Sequence, residues 1–331
     1  MAAPAIGQKR PLLTTDINLE NIRYPFKVHY LPLHIQRQSL QMAYMYVRPN
    51  AGNGRTVLLL HGKNFCSAYW ERTAADLLNA GYSVLMPDQI GFGKSSKPKQ
   101  FQYSFPLLAA NTKALMDELH IRKVAVLGHS MGGMLAARFT LMYPERVEQL
   151  ILEDPLGLED WRLKVPYQSV DDWYDDELEQ DYASIKAYQK KNYYGNSWHP
   201  EYDRWARIQA GWTKNPDYPL IAWNAALTSD MIFTQPVCYE WNQIAVPTLL
   251  IIGRRDRTAI GKDKVPPAIA ATMGDYPKLA RQVQRRIPDA ELEELPDTGH
   301  LPHIEAYDLF ISPLLGFLSE KQEKERNFGC K

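Results

Sequence analysis

Cysteine is scarce: three occur in 331 residues (Cys66, Cys238 and Cys330), odd in number and far apart. That spacing excludes a disulfide framework and a cysteine-based metal site. Charge of one sign is also missing, since 38 lysines and arginines balance 38 aspartates and glutamates for a formal net charge of +0. A nucleic-acid binder would normally carry a basic excess or stripe, so that class is disfavoured. No apolar run approaches the roughly 18 residues of a membrane span. The segment Met1 to Asn21 is polar and lacks the apolar stretch of a signal peptide. As given, the sequence therefore reads as cytoplasmic, with a periplasmic or secreted location only if a leader has been removed. There is no internal repeat and no low-complexity block. Hydrophobic residues at 45% and charged residues at 23% are instead those of a globular chain. A chain this long buries roughly three quarters of its unfolded surface and needs no covalent staple.

What is present is periodic. Lys27–Tyr30 and Met42–Val47 read as short strands. Thr56–Leu60, Ser83–Pro87, Val124–Leu127 and Glu148–Leu152 are apolar runs of the kind that form strands buried on both faces. Helical patterns over Trp70–Ala80, Phe105–Leu119 and Met131–Met142 separate them. This alternation predicts a mostly parallel sheet flanked by helices. It stops between Gly157 and Pro236, a stretch holding six of the eight tryptophans and eight of the nineteen tyrosines. It resumes at Val246–Ile252, with a helix near Lys278–Arg286, a strand at Glu291–Leu295 and a last helix from Glu305. Pro313 and Gly316 are expected to break or kink that helix and to leave a charged, frayed tail from Glu320 to Lys331. The predicted organisation is an α/β core in two parts, residues 1–156 and 237–331, interrupted by a helical cap over residues 157–236.

The chemistry concentrates in Gly128-His129-Ser130-Met131-Gly132-Gly133, set between a buried strand and a helix. A serine there sits on a tight strand-to-helix turn, with its hydroxyl projecting from the carboxyl edge of the sheet. Such a hydroxyl needs a base. His300 follows the last predicted strand in Asp297-Thr298-Gly299-His300 and can reach the turn. His303 is assigned a solvent-facing or capping role, while His129 and His61 read as packed core histidines. The base needs a carboxylate to fix its tautomer. Asp256, in Gly253-Arg254-Arg255-Asp256 after the strand Val246–Ile252, is the candidate. Asp154, after the strand Glu148–Leu152, is its competitor and is expected to anchor the departure of the insertion. Two backbone N–H donors must hold an oxyanion. They are assigned to Met131 and Lys63, with Asn64 as second choice and no side-chain role for Lys63 or Asn64. Cys66 reads as a small buried apolar residue.

These motifs are similar to those of the α/β-hydrolase superfamily, in the subgroup of lidded serine esterases. The matching segments are His61-Gly62, Asp88 to Ser95, the Gly128–Gly133 turn, Gly253 to Asp256, and Gly299-His300 followed by Pro302 and Glu305. They run in order over most of the chain. The resemblance implies an α/β-hydrolase fold and an ester hydrolase working through an acyl-enzyme, with Ser130, Asp256 and His300 as the triad. No cofactor and no metal are implied. Relatives that open epoxides or remove halogens carry aspartate where this chain has Ser130. The Lys63-Asn64-Phe65 run departs from the glycine and proline run of iminopeptidases. Cleavage of an amide, peptide or carbon–carbon bond on the same machinery stays open, as does a ligand receptor without turnover.

In lidded relatives the insertion roofs the nucleophile. About a third of its aromatic residues, among them Trp161, Trp173, Trp198, Trp205, Trp212, Trp223, Tyr167, Tyr174, Tyr193, Tyr194 and Tyr202, are therefore expected to face a small hydrophobic or aromatic ester-like substrate. The run Asp171–Asp181 holds seven acidic residues and no lysine or arginine. It reads as a solvated helix face or as a field attracting a cationic or amine substrate. Oligomeric state is not encoded in any of these patterns.

Overall fold

The computed structural model describes residues 13–328, with side chains to residue 319. Eight strands form one sheet: β1 (Val28–Ile35), β2 (Gln38–Val47), β3 (Thr56–Leu60), β4 (Ser83–Pro87), β5 (Val124–His129), β6 (Val147–Glu153), β7 (Thr248–Gly253) and β8 (Ala290–Leu295). Their spatial order is β1-β2-β4-β3-β5-β6-β7-β8. Strand β2 runs antiparallel to both β1 and β4, and every other neighbouring pair is parallel.

The apolar runs are explained by helices on both faces. Leu58, Val126, Leu150 and Leu250 point to one side, where they meet α2 (Phe105–Glu118), α3 (Met131–Met142) and α9 (Tyr276–Gln284). Their neighbours Val57, Leu127, Ile151 and Ile251 point to the other, onto α1 (Glu71–Asn79) and α11 (Tyr307–Phe328). Strands buried on both sides cannot alternate apolar with polar residues, so they read as continuous apolar runs. Between β6 and β7 there is no strand. The chain there forms α4 (Val170–Leu178), α5 (Tyr182–Asn192), α6 (Asp203–Trp212) and α7 (Tyr218–Thr234). Two short helices, α8 (Pro267–Ala270) and α10 (Pro302–Glu305), complete the set. Among the described residues no helix is long and apolar enough to cross a membrane.

Two expectations are corrected. Strands β1 and β2 are longer than predicted and close as a hairpin whose turn residues Gln36 and Arg37 have φ of 49° and 62°. Positive φ at both central positions suits a tight hairpin turn, but it usually falls to glycine or asparagine. The helix predicted to break at Pro313 continues through it and through Gly316 to Phe328. Leu314, Phe317 and Leu318 are buried against the sheet, and burial of three such side chains exceeds the roughly 3 kcal/mol that an interior proline costs. The predicted fray at Glu320 is thus not seen in the backbone to Phe328, and the rest of the tail lies outside the described residues.

Arg55 ties this helix to the sheet. Its guanidinium donates to Glu148 Oε2 at 3.0 Å, Gln149 Oε1 at 2.5 Å and the Leu318 carbonyl at 2.6 Å. Arg55→Met should lower the unfolding free energy by about 1.5–3 kcal/mol, the range for hydrogen bonds to a charged group. Urea denaturation would show this as a lower midpoint with unchanged slope.

Candidate active site

Strand β5 ends at His129, and α3 starts at Met131. Ser130 alone makes the turn, at φ 57° and ψ −121°, a strained conformation for a residue with a side chain. The turn is possible because nothing projects from its flanks. A Cβ on Gly128 would lie 2.1 Å from the Gly132 carbonyl oxygen, and one on Gly132 would lie 2.2 Å from that of Leu60. The Ser130 N–H donates to the Glu153 carbonyl at 3.1 Å, while its carbonyl accepts from Gly133 and Leu156.

The three residues predicted from separate parts of the chain meet here. His300 Nε2 lies 2.9 Å from Ser130 Oγ, and His300 Nδ1 lies 2.6 Å from Asp256 Oδ2. Asp256 Oδ1 accepts the Thr258 N–H at 2.8 Å, which fixes the carboxylate plane. Asp256 is fully buried, and His300 and Ser130 are 1% and 6% exposed. Of the predicted oxyanion donors, Met131 follows Ser130 directly, and Gly62, the residue before Lys63, lies so close that a Cβ on it would sit 3.1 Å from Ser130 Cβ. Lys63 and Asn64 line the same cavity as Ser130.

His61 and His129 are core histidines, as expected. Gln89 N–H donates to His61 Nε2 at 3.0 Å, so the proton is on Nδ1, 2.9 Å from the Gly62 carbonyl. His129 Nε2 lies 2.7 Å from the His300 carbonyl and must donate to it. Its Nδ1 therefore accepts from the Tyr69 hydroxyl at 3.0 Å, and that oxygen accepts the Gly62 N–H at 2.9 Å. Burial holds both imidazoles below their ordinary pKa. This relay joins the His300 loop to the Gly62 loop, and the sequence hinted at it only through the histidine inside the Gly128–Gly133 turn. Cys66 is buried as expected, its thiol pushed up to about 12 by desolvation.

Four assignments change. His303 is neither solvent-facing nor a cap: it is buried, and both its Nδ1 (2.8 Å) and its backbone N–H (2.9 Å) meet Glu153 Oε1. Pro302 opens a short helix that turns inward, packing the ring 4.4 Å from that of Trp70. Asp154 does not anchor the insertion. It is buried, and both carboxyl oxygens accept the Gly253 N–H (3.0 and 3.2 Å). Burial and the neighbouring Asp256 charge hold the Asp154 carboxyl well above the carboxylate range. The Lys63 side chain, given no role above, pairs with Glu177 of α4 at 2.7 Å. Of the cap aromatics expected at the substrate, only Trp173 and Tyr193 line the cavity, joined by Tyr188. Most of the others are buried where the insertion packs onto the core: Trp161 joins the cluster on the α2/α3 side of the sheet, and Trp205, Trp212, Tyr194 and Tyr202 join the cluster on the α1/α11 side.

Tyr193 also has a role that sequence reasoning missed. Its carbonyl accepts the His300 N–H at 3.1 Å, and its ring stacks on the imidazole at 5.0 Å and 28°. The cavity itself has a volume of about 460 Å³ and reaches Ser130.

The α/β-hydrolase fold family matches residues 55–307, and the chain belongs to it. It is a hydrolase of that fold. A probable hydrolytic enzyme from Pseudomonas aeruginosa PAO1 superposes with a TM-score of 0.92 at 51% identity, over 93% of this chain and 99% of that one. A 2-hydroxy-6-oxononadienedioate/2-hydroxy-6-oxononatrienedioate hydrolase from Comamonas testosteroni is 29% identical over 82% of this chain and 90% of its own. A thermophilic esterase from Thermogutta terrifontis shares the fold at a TM-score of 0.68 and 20% identity, over 89% and 98% of the two chains.

Asp154→Asn tests the buried proton, because asparagine reproduces the hydrogen-bond pattern of the neutral acid. The folded state holds a proton that the unfolded chain loses above roughly pH 4. Wild-type stability is therefore full below that pH, falls as pH rises toward the raised folded value, and levels off beyond it. Urea midpoints at about pH 5, 7 and 9 should converge toward, or cross, those of Asp154→Asn as this contribution is lost.

Proposed function

We propose that this hydrolase cleaves carboxylic esters through an acyl-enzyme, with Ser130 as nucleophile, His300 as base and Asp256 as the carboxylate that orients it. The observation that carries this reading is the unbroken hydrogen-bonded line from Ser130 Oγ through His300 to Asp256. His300 Nε2 takes the hydroxyl proton as Ser130 Oγ attacks the ester carbonyl. The carbonyl oxygen gains the negative charge, and the N–H groups of Met131 and Lys63 hold it. Collapse of that tetrahedral species breaks the carbon–oxygen bond, with His300 returning the proton to the departing alcohol. Water then gives a proton to His300 as it attacks the acyl carbonyl, and His300 passes that proton to Ser130 Oγ as the ester bond to the enzyme breaks, releasing the acid and restoring the starting state. Asp256 stabilises the imidazolium, and the neighbouring Asp154 carboxyl, held above the usual carboxylate range by burial and the Asp256 charge, opposes a second negative charge there. In this reading residues 157–236 are a cap, and residues 1–156 and 237–331 are the core that carries the triad.

A second reading, carbon–carbon bond cleavage, is favoured by the name of the Comamonas relative. It would use the same three residues with a ketone carbonyl in place of the ester. The two readings separate in one panel: p-nitrophenyl esters of graded chain length beside a dienone carbon–carbon substrate. Turnover of the dienone alone would replace the ester reading.

A fluorophosphonate probe should label Ser130 alone, and Ser130→Ala should reduce kcat by on the order of 10⁴ to 10⁶. Full ester turnover by purified Ser130→Ala would remove the nucleophile assignment. Asp256→Asn should lose at least roughly 10², since a wrong histidine tautomer cost roughly 10⁴ in a serine protease. Asp154→Asn should lose much less. If Asp154→Asn proves the crippled variant, the carboxylate assignment moves to the end of β6.

A further inference from the structure

The cavity over Ser130 has an unusual charge balance. Its only lysine or arginine side chains among the described lining residues are Lys63 and Lys264, and both are already paired. Lys63 meets Glu177 at 2.7 Å and Lys264 meets Asp176 at 3.0 Å, each partner also lining the cavity. Nearby Lys262 turns its ammonium to the carbonyls of Arg257 and Met273. Two further lining carboxylates, Glu179 and Asp263, have no ion-pair partner among the described residues. Four acids against two lysines leave the cavity walls at a formal −2. The acidic run of α4 is therefore only partly a solvated face: Asp176, Glu177 and Glu179 line the cavity, whereas Asp172 caps α4.

Two independent features point to the same kind of ligand. Three aromatic rings, Trp173, Tyr188 and Tyr193, line this cavity, and aromatic faces attract alkylammonium groups. Gln189, 1% exposed, also lines it; its Nε2 donates to Gln209 Oε1 at 3.3 Å, and its own Oε1 is left without a partner. A buried acceptor with no donor costs free energy until a ligand brings an N–H, or the positive charge of an alkylammonium group, to it. A carboxylate would meet the opposite: no free cation and a surplus of negative charge.

We propose that the cavity takes esters bearing an alkylammonium or amine group, held by Trp173, Tyr188 and Tyr193 and attracted by Glu179 and Asp263, and that it rejects substrates bearing a carboxylate. The proposal rests on the ester reading for its turnover but not for its binding. It also separates this chain from a hydrolase of dienedioates, whose substrates carry two carboxylates.

The test compares three thioesters on the purified full chain: acetylthiocholine, its neutral isostere 3,3-dimethylbutyl thioacetate, and the carboxylate S-acetyl-3-mercaptopropionate. At low ionic strength kcat/KM should fall in that order, with the cation exceeding the anion at least roughly tenfold. About 0.5 M salt should shrink the ratio, because the mouth is open to screening. The double variant Glu179→Gln, Asp263→Asn should bring the cation-to-neutral ratio toward 1. Equal rates for all three, or a ratio unmoved in the double variant, would overturn the proposal. Binding to Ser130→Ala by calorimetry supplies the second arm, with phenyltrimethylammonium against benzoate as probes. Ammonium binding without any thioester turnover keeps the proposal and removes the ester reading. Benzoate binding as tightly as phenyltrimethylammonium removes the proposal whatever the turnover.

Discussion

The close approach of α3 to the ends of β3 and β5 is the contact on which the rest of the site depends. Backbone carbonyls of Leu60 and Gly132 stand where the Cβ atoms of ordinary residues at 132 and 128 would be. With glycine there, the helix starts one residue after the strand stops, and Ser130 has no freedom to relax. Its φ of 57° is held from both sides, by the Glu153 carbonyl on its N–H and by Gly133 and Leu156 on its carbonyl. Strain of this kind persists only where the surroundings over-determine it. Once the hydroxyl is fixed, the loops after β7 and β8 need only bring Asp256 and His300 to it. They arrive there together because Gly253 is itself packed against the carbonyls of Thr298 and Gly299.

The insertion does more than cover this arrangement. Tyr193, at the end of α5, binds the His300 N–H and stacks on its ring. Glu177, in α4, holds the side chain of Lys63, whose N–H belongs to the loop beside Ser130. The position of the insertion and the geometry around Ser130 are thus linked at two points, one at His300 and one at the loop that carries Lys63. Displacing α4 and α5 would release both. A part-buried ion pair such as Lys63–Glu177 contributes little net stability, so its value here lies in geometry.

The same distinction explains what could be read without coordinates. Buried parallel strands and the glycines of the Gly128–Gly133 turn leave marks within a few consecutive residues, so β3, β4, β5, β7 and the start of α3 were legible. Ser130, Asp256 and His300 were legible because each follows such a strand in a characteristic order. The Gln36-Arg37 turn was not, because its residues are not those that favour positive φ. Pro313 misled because burial of α11 outweighs a local penalty. Contacts between distant segments, Lys63 with Glu177, Tyr193 with His300 and Glu153 with His303, leave no mark in either segment alone. The family match and the fold accord with the motif order. Which of the insertion's rings reach the cavity required their packing to be seen.

Two buried imidazole–carboxylate pairs sit side by side, and the contrast between them shows what makes one a site. His300 with Asp256 and His303 with Glu153 have nearly the same geometry, at 2.6 and 2.8 Å, and all four residues are buried. His129 lies between them, its ring centroid 5.0 Å from that of His300 and 5.2 Å from that of His303. Their second nitrogens differ. His300 Nε2 meets the hydroxyl of Ser130 at the wall of the cavity. His303 Nε2 has no partner, and its ring is packed against Trp70 and Tyr69. With its second nitrogen facing no partner, the pair serves packing, with Glu153 also lending its carbonyl to the Ser130 N–H. What sets the first pair apart is the access of one nitrogen to one hydroxyl at the cavity wall, while the second pair holds the floor on which that hydroxyl stands.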